Sequence, residues 1–193
     1  MTELLLIVVG AALVNNFVLV QFLGVCPVMS AGRRVEGAVG LALATGLALT
    51  LASGAAYAVD RLLLQPFDLQ YLRLVSFVVA IGVAVQATDV LIRRFSPLLH
   101  RVLGIYIPLI AGNCAVLGVA LLNSGASRSF VAALFYGAGA SLGFALALVL
   151  LASLRERLER ADVPAPFRGA SIVFVTAGIL SLAFLGFAGF ARL

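Results

Sequence analysis

Charge is scarce in this chain. Only 11% of its 193 residues are charged against 63% hydrophobic, and mean hydropathy is +1.18. Soluble domains sit near roughly 45–50% apolar and about 25% charged. No water-soluble fold of this length could hide so much apolar surface, so a soluble domain is excluded and residues 1–193 read as one integral membrane domain. Lysine is absent, and all 13 basic residues are arginine. With a single histidine, His100, and two cysteines, Cys26 and Cys114, nothing resembles a P-loop, a dinucleotide fingerprint, a zinc motif or a hydrolytic triad. Alone, this chain is not a catalytic unit. The first apolar run lacks a basic leader and begins directly after Glu3, so no separate signal peptide is expected.

What is present is apolar sequence in long stretches. Crossing a hydrocarbon core of about 30 Å takes roughly 20 apolar residues as helix. Such runs lie near Leu4–Leu23, Gly37–Val59, Leu72–Ile92, Val102–Leu122, Phe130–Leu154 and Ala170–Ala191. The chain is also written twice. A shift of 97 residues places Asn16 on Asn113, Gly40 on Gly137 and Gly46 on Gly143, with Val18-Leu19-Val20 on Ala115-Val116-Leu117 and Leu47-Ala48-Leu49 on Phe144-Ala145-Leu146. The halves, about 1–96 and 97–193, therefore hold three spans each. An odd number of spans turns the second copy upside down, which predicts an all-α membrane protein of six transmembrane helices in two inverted three-helix repeats related by a pseudo-two-fold axis in the membrane plane.

Arginine placement gives the orientation. The loops after spans 1, 3 and 5 carry nine: Arg33, Arg34, Arg93, Arg94, Arg101, Arg155, Arg157, Arg160 and Arg168. The termini and the other two loops carry four: Arg61, Arg73, Arg128 and Arg192. Positive charge favours the cytoplasmic side, so both termini should face away from the cytoplasm. That bias accounts for the net charge of +5 and leaves no nucleic-acid patch.

Two spans break their own pattern. Asn15-Asn16 falls in the middle of span 1 and Gly112-Asn113-Cys114 at the matching place in span 4; Pro108 removes a backbone donor, and Gly24 and Pro27 close span 1. Asparagine in hydrocarbon must find partners. Matching breaks in inverted halves point to discontinuous helices meeting near the midplane, where transporters place their sites; the alternative is that the asparagines bond helices together. The cysteines also carry two readings: inert small hydrophobes, or half of the Cys₄ ligand set of a [2Fe–2S] cluster. The second requires the breaks. Cys26 lies ten residues beyond Asn16, about 15 Å along an unbroken helix, so only interrupted helices could bring it to Cys114.

The stretch Val14-Asn15-Asn16-Phe17-Val18-Leu19-Val20-Gln21-Phe22-Leu23-Gly24-Val25-Cys26-Pro27 strongly resembles the first helix of the A-subunit family of the Rnf (Rsx) electron-transport complex. Asn113-Cys114-Ala115-Val116-Leu117-Gly118-Val119-Ala120 and Asp162-Val163-Pro164-Ala165-Pro166-Phe167-Arg168-Gly169 match two more of its motifs, and the similarity runs nearly end to end. A sister family, the E subunit of the sodium-pumping NADH:quinone oxidoreductase, shares the cysteines and the Asp-Val-Pro-Ala-Pro stretch but usually departs from the Asn-Asn-Phe-Val-Leu-Val pattern.

The resemblance implies a bacterial inner-membrane subunit with both termini periplasmic. It implies pairing with a homologous E-type subunit of opposite topology, Cys26 and Cys114 supplying two ligands of a [2Fe–2S] cluster and the partner two. The complex would move electrons between ferredoxin and NAD, coupled to sodium or proton movement, or keep a redox-sensing regulator reduced. A cluster at mid-bilayer would split a crossing of about 30 Å into two shorter hops, and backbone amides near Gly24 and Gly112 are candidate donors to its sulfurs.

Other residues carry weaker signals. Asp89, one turn after Gln86, is an intramembrane acid and hence a candidate functional residue, but Arg93 four residues on could pair with it. His100 reads as solvated. Arg155-Glu156-Arg157-Leu158-Glu159-Arg160 should extend span 5 as a charged helical turn, either a topology anchor or a dock for a peripheral subunit. Pro164 and Pro166 stiffen the link to span 6. Gly137, Gly139, Gly143, Gly178, Gly186 and Gly189 would allow close helix approach, which suits a chain packed against several membrane partners. Beside the electron-carrying subunit, two other classes stand: a small inverted-repeat secondary transporter, and a structural scaffold with inert thiols.

Overall fold

The computed structural model describes residues 2–14, 16–26, 35–67, 70–95, 110, 112–125, 129–162, 164, 167 and 169–190. All of its regular structure is helical among these residues. Asn15, Pro27, Arg33, Arg34, His100, Arg101, Pro108, Arg128, Pro166, Arg168 and Arg192 lie outside them.

Helices α1 (Thr2–Val9) and α2 (Phe17–Gln21) make up the first apolar run. The others are α3 (Val35–Val59), α4 (Arg73–Phe95), α5 (Cys114–Gly125), α6 (Phe130–Glu159) and α7 (Ala170–Phe190). Three stretches are long and apolar enough to cross a membrane, Gly37–Leu64, Gln70–Arg94 and Phe130–Glu159, and three shorter apolar helices fill the places expected of spans 1, 4 and 6. The protein is an all-helical membrane protein. The charged turn Arg155–Glu159 does continue α6, tied by the Arg160–Glu156 ion pair at 3.1 Å.

Helices apolar on every side give no amphipathic stripe to direct packing, so small residues decide it. The most extensive contact joins α3 and α6, the two helices that the 97-residue shift superimposes. There the Cβ of a residue at 137 would lie 2.8 Å from Ser53 Cβ. Along α6, Gly139 and Gly143 admit the backbone of α1 and the segment after it: added Cβ atoms would stand 2.9 Å from Val8 Cα and 2.9 Å from the Ala12 carbonyl oxygen. Gly178 and Gly186 differ. Among the described residues nothing lies within 4 Å of their Cβ positions, so these two mediate no close approach there.

A polar knot joins α3 and α4. After Val59 the ladder widens into a π turn, Asp60–Leu64. Asp60, only 6% exposed, pairs with Arg73 Nη2 at 3.2 Å and accepts from Gln65 Nε2 at 3.5 Å. Asp60, Arg61, Gln65, Gln70 and Arg73 line a cavity of about 200 Å³ with Asn123 of α5. Nothing in the sequence beyond an acid closing an apolar run marks this knot. Removing the cation leaves a buried carboxylate without its counter-charge, which costs roughly 3–5 kcal/mol when fully buried. Arg73 is a third exposed, so solvent screening reduces the figure. Arg73→Ala is expected to lower stability by about 1–3 kcal/mol, seen as a lower melting midpoint in detergent, and Asp60→Asn in the same chain should restore part of it.

Candidate cysteine site at the helix breaks

Both expected breaks are present, and they are built alike. In the first, α1 runs into a π turn at Gly10–Val14, and Asn16, extended at φ −65° and ψ 101°, caps α2. Its Oδ1 accepts from Val18 N–H at 3.1 Å. In the second, Asn113 Oδ1 accepts from Ala115 N–H at 3.0 Å and caps α5. The carbonyls repeat the pattern, Asn16 accepting from Leu19 N–H and Asn113 from Val116 N–H, each at 3.1 Å. An asparagine side-chain oxygen satisfies one of the orphan donors of a helix start, which in hydrocarbon would otherwise stay unpaired.

The side-chain nitrogens diverge. Asn16 Nδ2 donates to the carbonyls of Ala12 at 3.1 Å and Gly143 at 2.9 Å, bonding the broken first span to α6. Asn113, 4% exposed, finds no acceptor for Nδ2. Beyond α2 the chain reverses through Phe22 at φ 55° and Gly24 at φ 87°, and Val25 and Cys26 are helical again. The reversal sits in a notch of small residues: Leu23 packs on Gly118, and Gly24 lies against Ala115, Phe144 and Asn113. Phe17 stacks on Phe144 with centroids 6.4 Å apart, fixing α2 from the other side, and Ser181 Oγ donates to the Leu19 carbonyl.

This reversal is what joins the two breaks. Gly24 N–H donates to Cys114 Sγ at 3.1 Å. Cys26 follows two residues later, and two residues of chain span at most about 7 Å. The amide anticipated as a sulfur donor at Gly24 is therefore in place. Both cysteines are free and exposed on the surface of this chain, not buried as inert fillers would be. Among the described residues no third His, Cys, Asp or Glu joins them as a metal-binding group.

Gly24→Ala is expected to damage this link. The residue would hold a conformation that L side chains rarely adopt, costing about 1–3 kcal/mol, and its Cβ would sit 3.0 Å from both Ala115 Cβ and Phe144 Cε2. A lower melting midpoint and faster maleimide labelling of Cys114, as the Gly24 segment lifts from its sulfur, are the expected readings.

The intramembrane acid and the charged end of α6 lie apart from this site. Asp89 Oδ2 pairs with Arg93 Nη2 at 2.9 Å across one turn of α4, as their spacing suggests, and the acid is buried while the arginine reaches out. A cavity of about 460 Å³ opens between the charged end of α6 and the start of α7, lined by Arg155, Glu159, Arg160, Asp162, Gly169 and Ile172; it is separate from the cysteines.

Helices apolar on every side, broken at two asparagines and carrying exposed thiols beside the breaks, define an integral membrane protein. Comparison with known proteins gives the particular family. Residues 4–191 match the family described as "Rnf-Nqr subunit, membrane protein", and the chain belongs to it. It is 58% identical over 193 residues to the A subunit of the ion-translocating oxidoreductase complex of Pseudomonas aeruginosa (strain LESB58) and 58% identical to that of Alkalilimnicola ehrlichii, 100% of each chain being covered. The Vibrio vulnificus (strain YJ016) protein of the same name is 54% identical over 192 residues, again with 100% of both covered.

Proposed function

We propose that this chain is the A-type subunit of an ion-translocating oxidoreductase complex of the Rnf kind, and that Cys26 and Cys114 supply two of the four ligands of a [2Fe–2S] cluster. A homologous membrane subunit of opposite topology supplies the other two. The observation that carries the cluster reading is the Gly24 N–H bond to Cys114 Sγ, which draws both cysteine-bearing breaks to one exposed place. The relatives' shared name favours the A-type subunit over the E subunit of the sodium-pumping NADH:quinone oxidoreductase.

The donor set fits the group. Thiolates are the ligands of such clusters, and hydrogen bonds to sulfur tune them. One-electron transfer is the chemistry a cluster supplies when bound. The chain's own residues do the rest. Asn113 fixes the start of α5 and so aims Cys114; Gly24 holds the Cys26 segment against it; Phe144 and Leu23 pack that segment onto α5 and α6. The arginine bias supports an inner-membrane orientation with both termini periplasmic.

The test is the dithionite-reduced electron paramagnetic resonance spectrum and iron content of the complex purified with its membrane partners, native against Cys26→Ser and Cys114→Ser. Loss of a [2Fe–2S] signal in each assembled variant supports the assignment. An unchanged spectrum and iron count in both overturns it.

A further inference from the structure

Glycine is the usual residue where a helix ends in the left-handed region, because it carries no Cβ to clash. At the end of α2 that place is held by Phe22, at φ 55° and ψ 24°, its N–H bonded to the Phe17 carbonyl. Among the described residues no other side chain but glycine has positive φ. For a bulky residue this is an outlier, and such strain collects at functional sites. Packing within the chain does not explain the ring, since Phe22 is 47% exposed. Gln21 beside it is exposed as well. With α2 only five residues long, Gln21 stands within about 8 Å of the mid-span Asn16. Hydrocarbon reaches about 15 Å to either side of the midplane, and lipid tails offer an amide no partner. A ring on a strained backbone and an amide open to hydrocarbon are both out of place against lipid. Both fit against protein.

The thiols say which protein. Phe22 stands two residues before Gly24, whose N–H donates to Cys114 Sγ at 3.1 Å, and two residues of chain span at most about 7 Å. A subunit that covers the exposed thiols therefore comes within a side chain's reach of the end of α2. We propose that Gln21 and Phe22 form the contact by which this chain seats the homologous membrane subunit against Cys26 and Cys114. The ring enters an apolar socket of that subunit, and the amide bonds one of its polar groups. This rests on the reading that the cysteines hold half of a [2Fe–2S] cluster completed by that subunit. The strain at Phe22 is then offset in the assembly, not within the chain.

The test uses the complex in its native membranes. With Phe22→p-benzoylphenylalanine, irradiation should link this chain covalently to the homologous membrane subunit, identified by mass spectrometry of the adduct. Adducts with lipid alone, or with a different subunit, overturn the proposal. Phe22→Gly makes the complementary measurement. Glycine holds positive φ without strain, so the melting midpoint of the full chain in detergent should hold or rise. The homologous subunit recovered with it should fall about tenfold, the scale of one lost interface anchor. A lowered midpoint, or native recovery of that subunit, overturns the proposal. Failure of the cluster reading shows elsewhere: Cys114→Ser would leave spectrum and iron unchanged, whereas the adduct at position 22 is read without iron.

Discussion

Cys114→Ser is expected to abolish the [2Fe–2S] signal and remove the cluster's full iron complement while leaving the protein in the membrane complex. The substitution replaces one atom, sulfur by oxygen, and serine Oγ can still accept from Gly24 N–H, now 3.1 Å from Sγ. The reversal that carries Cys26 therefore keeps its anchor. What is lost is the soft thiolate donor that iron–sulfur clusters require. Alanine would remove the acceptor as well and leave the Gly24 amide unpaired at a cost of about 1–3 kcal/mol, so serine separates loss of ligand from loss of fold. Cys26→Ser should give the same spectroscopic loss, although no hydrogen bond to Gly24 is involved there. Equal loss from two thiols that sit 88 residues apart in the chain is hard to explain as two independent structural defects. If both variants keep signal and iron, the thiols are inert and the chain is a scaffold or a transporter.

Much of this architecture is legible from the residues because the membrane makes polar exceptions conspicuous. Asn16 and Asn113 stand out by composition, the 97-residue shift makes them a pair, and Cys26 and Cys114 could share a cluster only if the helices are broken. The structure has both breaks. Their joining is less legible: Gly24 reaches Cys114 across 90 residues, and only the folded notch of Ala115, Gly118 and Phe144 selects that contact. The repeat equally conceals that one asparagine bonds helices while the other does not: Asn16 Nδ2 reaches the carbonyls of Ala12 and Gly143, and Asn113 Nδ2 reaches none. Gly178 and Gly186 differ: small residues can serve close approach to a partner as well as within the chain, and among the described residues nothing lies within 4 Å of their Cβ positions. Asp60 escapes notice because an acid at the end of an apolar run looks interfacial, whereas the π turn folds it inward against Arg73.

Gly143→Ala is expected to destabilise the chain where helix chemistry alone predicts the opposite. Alanine for glycine inside a helix ordinarily stabilises by about 0.5–1 kcal/mol. At 143, however, the new Cβ would lie 2.9 Å from the Ala12 carbonyl oxygen and 3.1 Å from Ala12 Cα. These are backbone atoms and cannot rotate aside, so the first span must move off α6. Overpacking of this kind costs about 1–3 kcal/mol. The movement also draws Asn16 Nδ2 from the Gly143 carbonyl, now 2.9 Å away, and a buried group left unpaired adds about 1–3 kcal/mol. Against total stabilities of about 5–15 kcal/mol the combined loss is large, and adding Gly139→Ala, which meets Val8 backbone at 2.9 Å, should deepen it. Gly178→Ala supplies the contrast: with nothing among the described residues within 4 Å, it should hold or slightly raise the melting midpoint of the isolated chain in detergent. A Gly143→Ala midpoint equal to that of Gly178→Ala would refute the close docking of the first span. The effect should reach the cysteines too. Asn16 caps α2, α2 leads into the Gly24 reversal, and the reversal holds Cys114, so Gly143→Ala should speed maleimide labelling of Cys114 without touching either thiol.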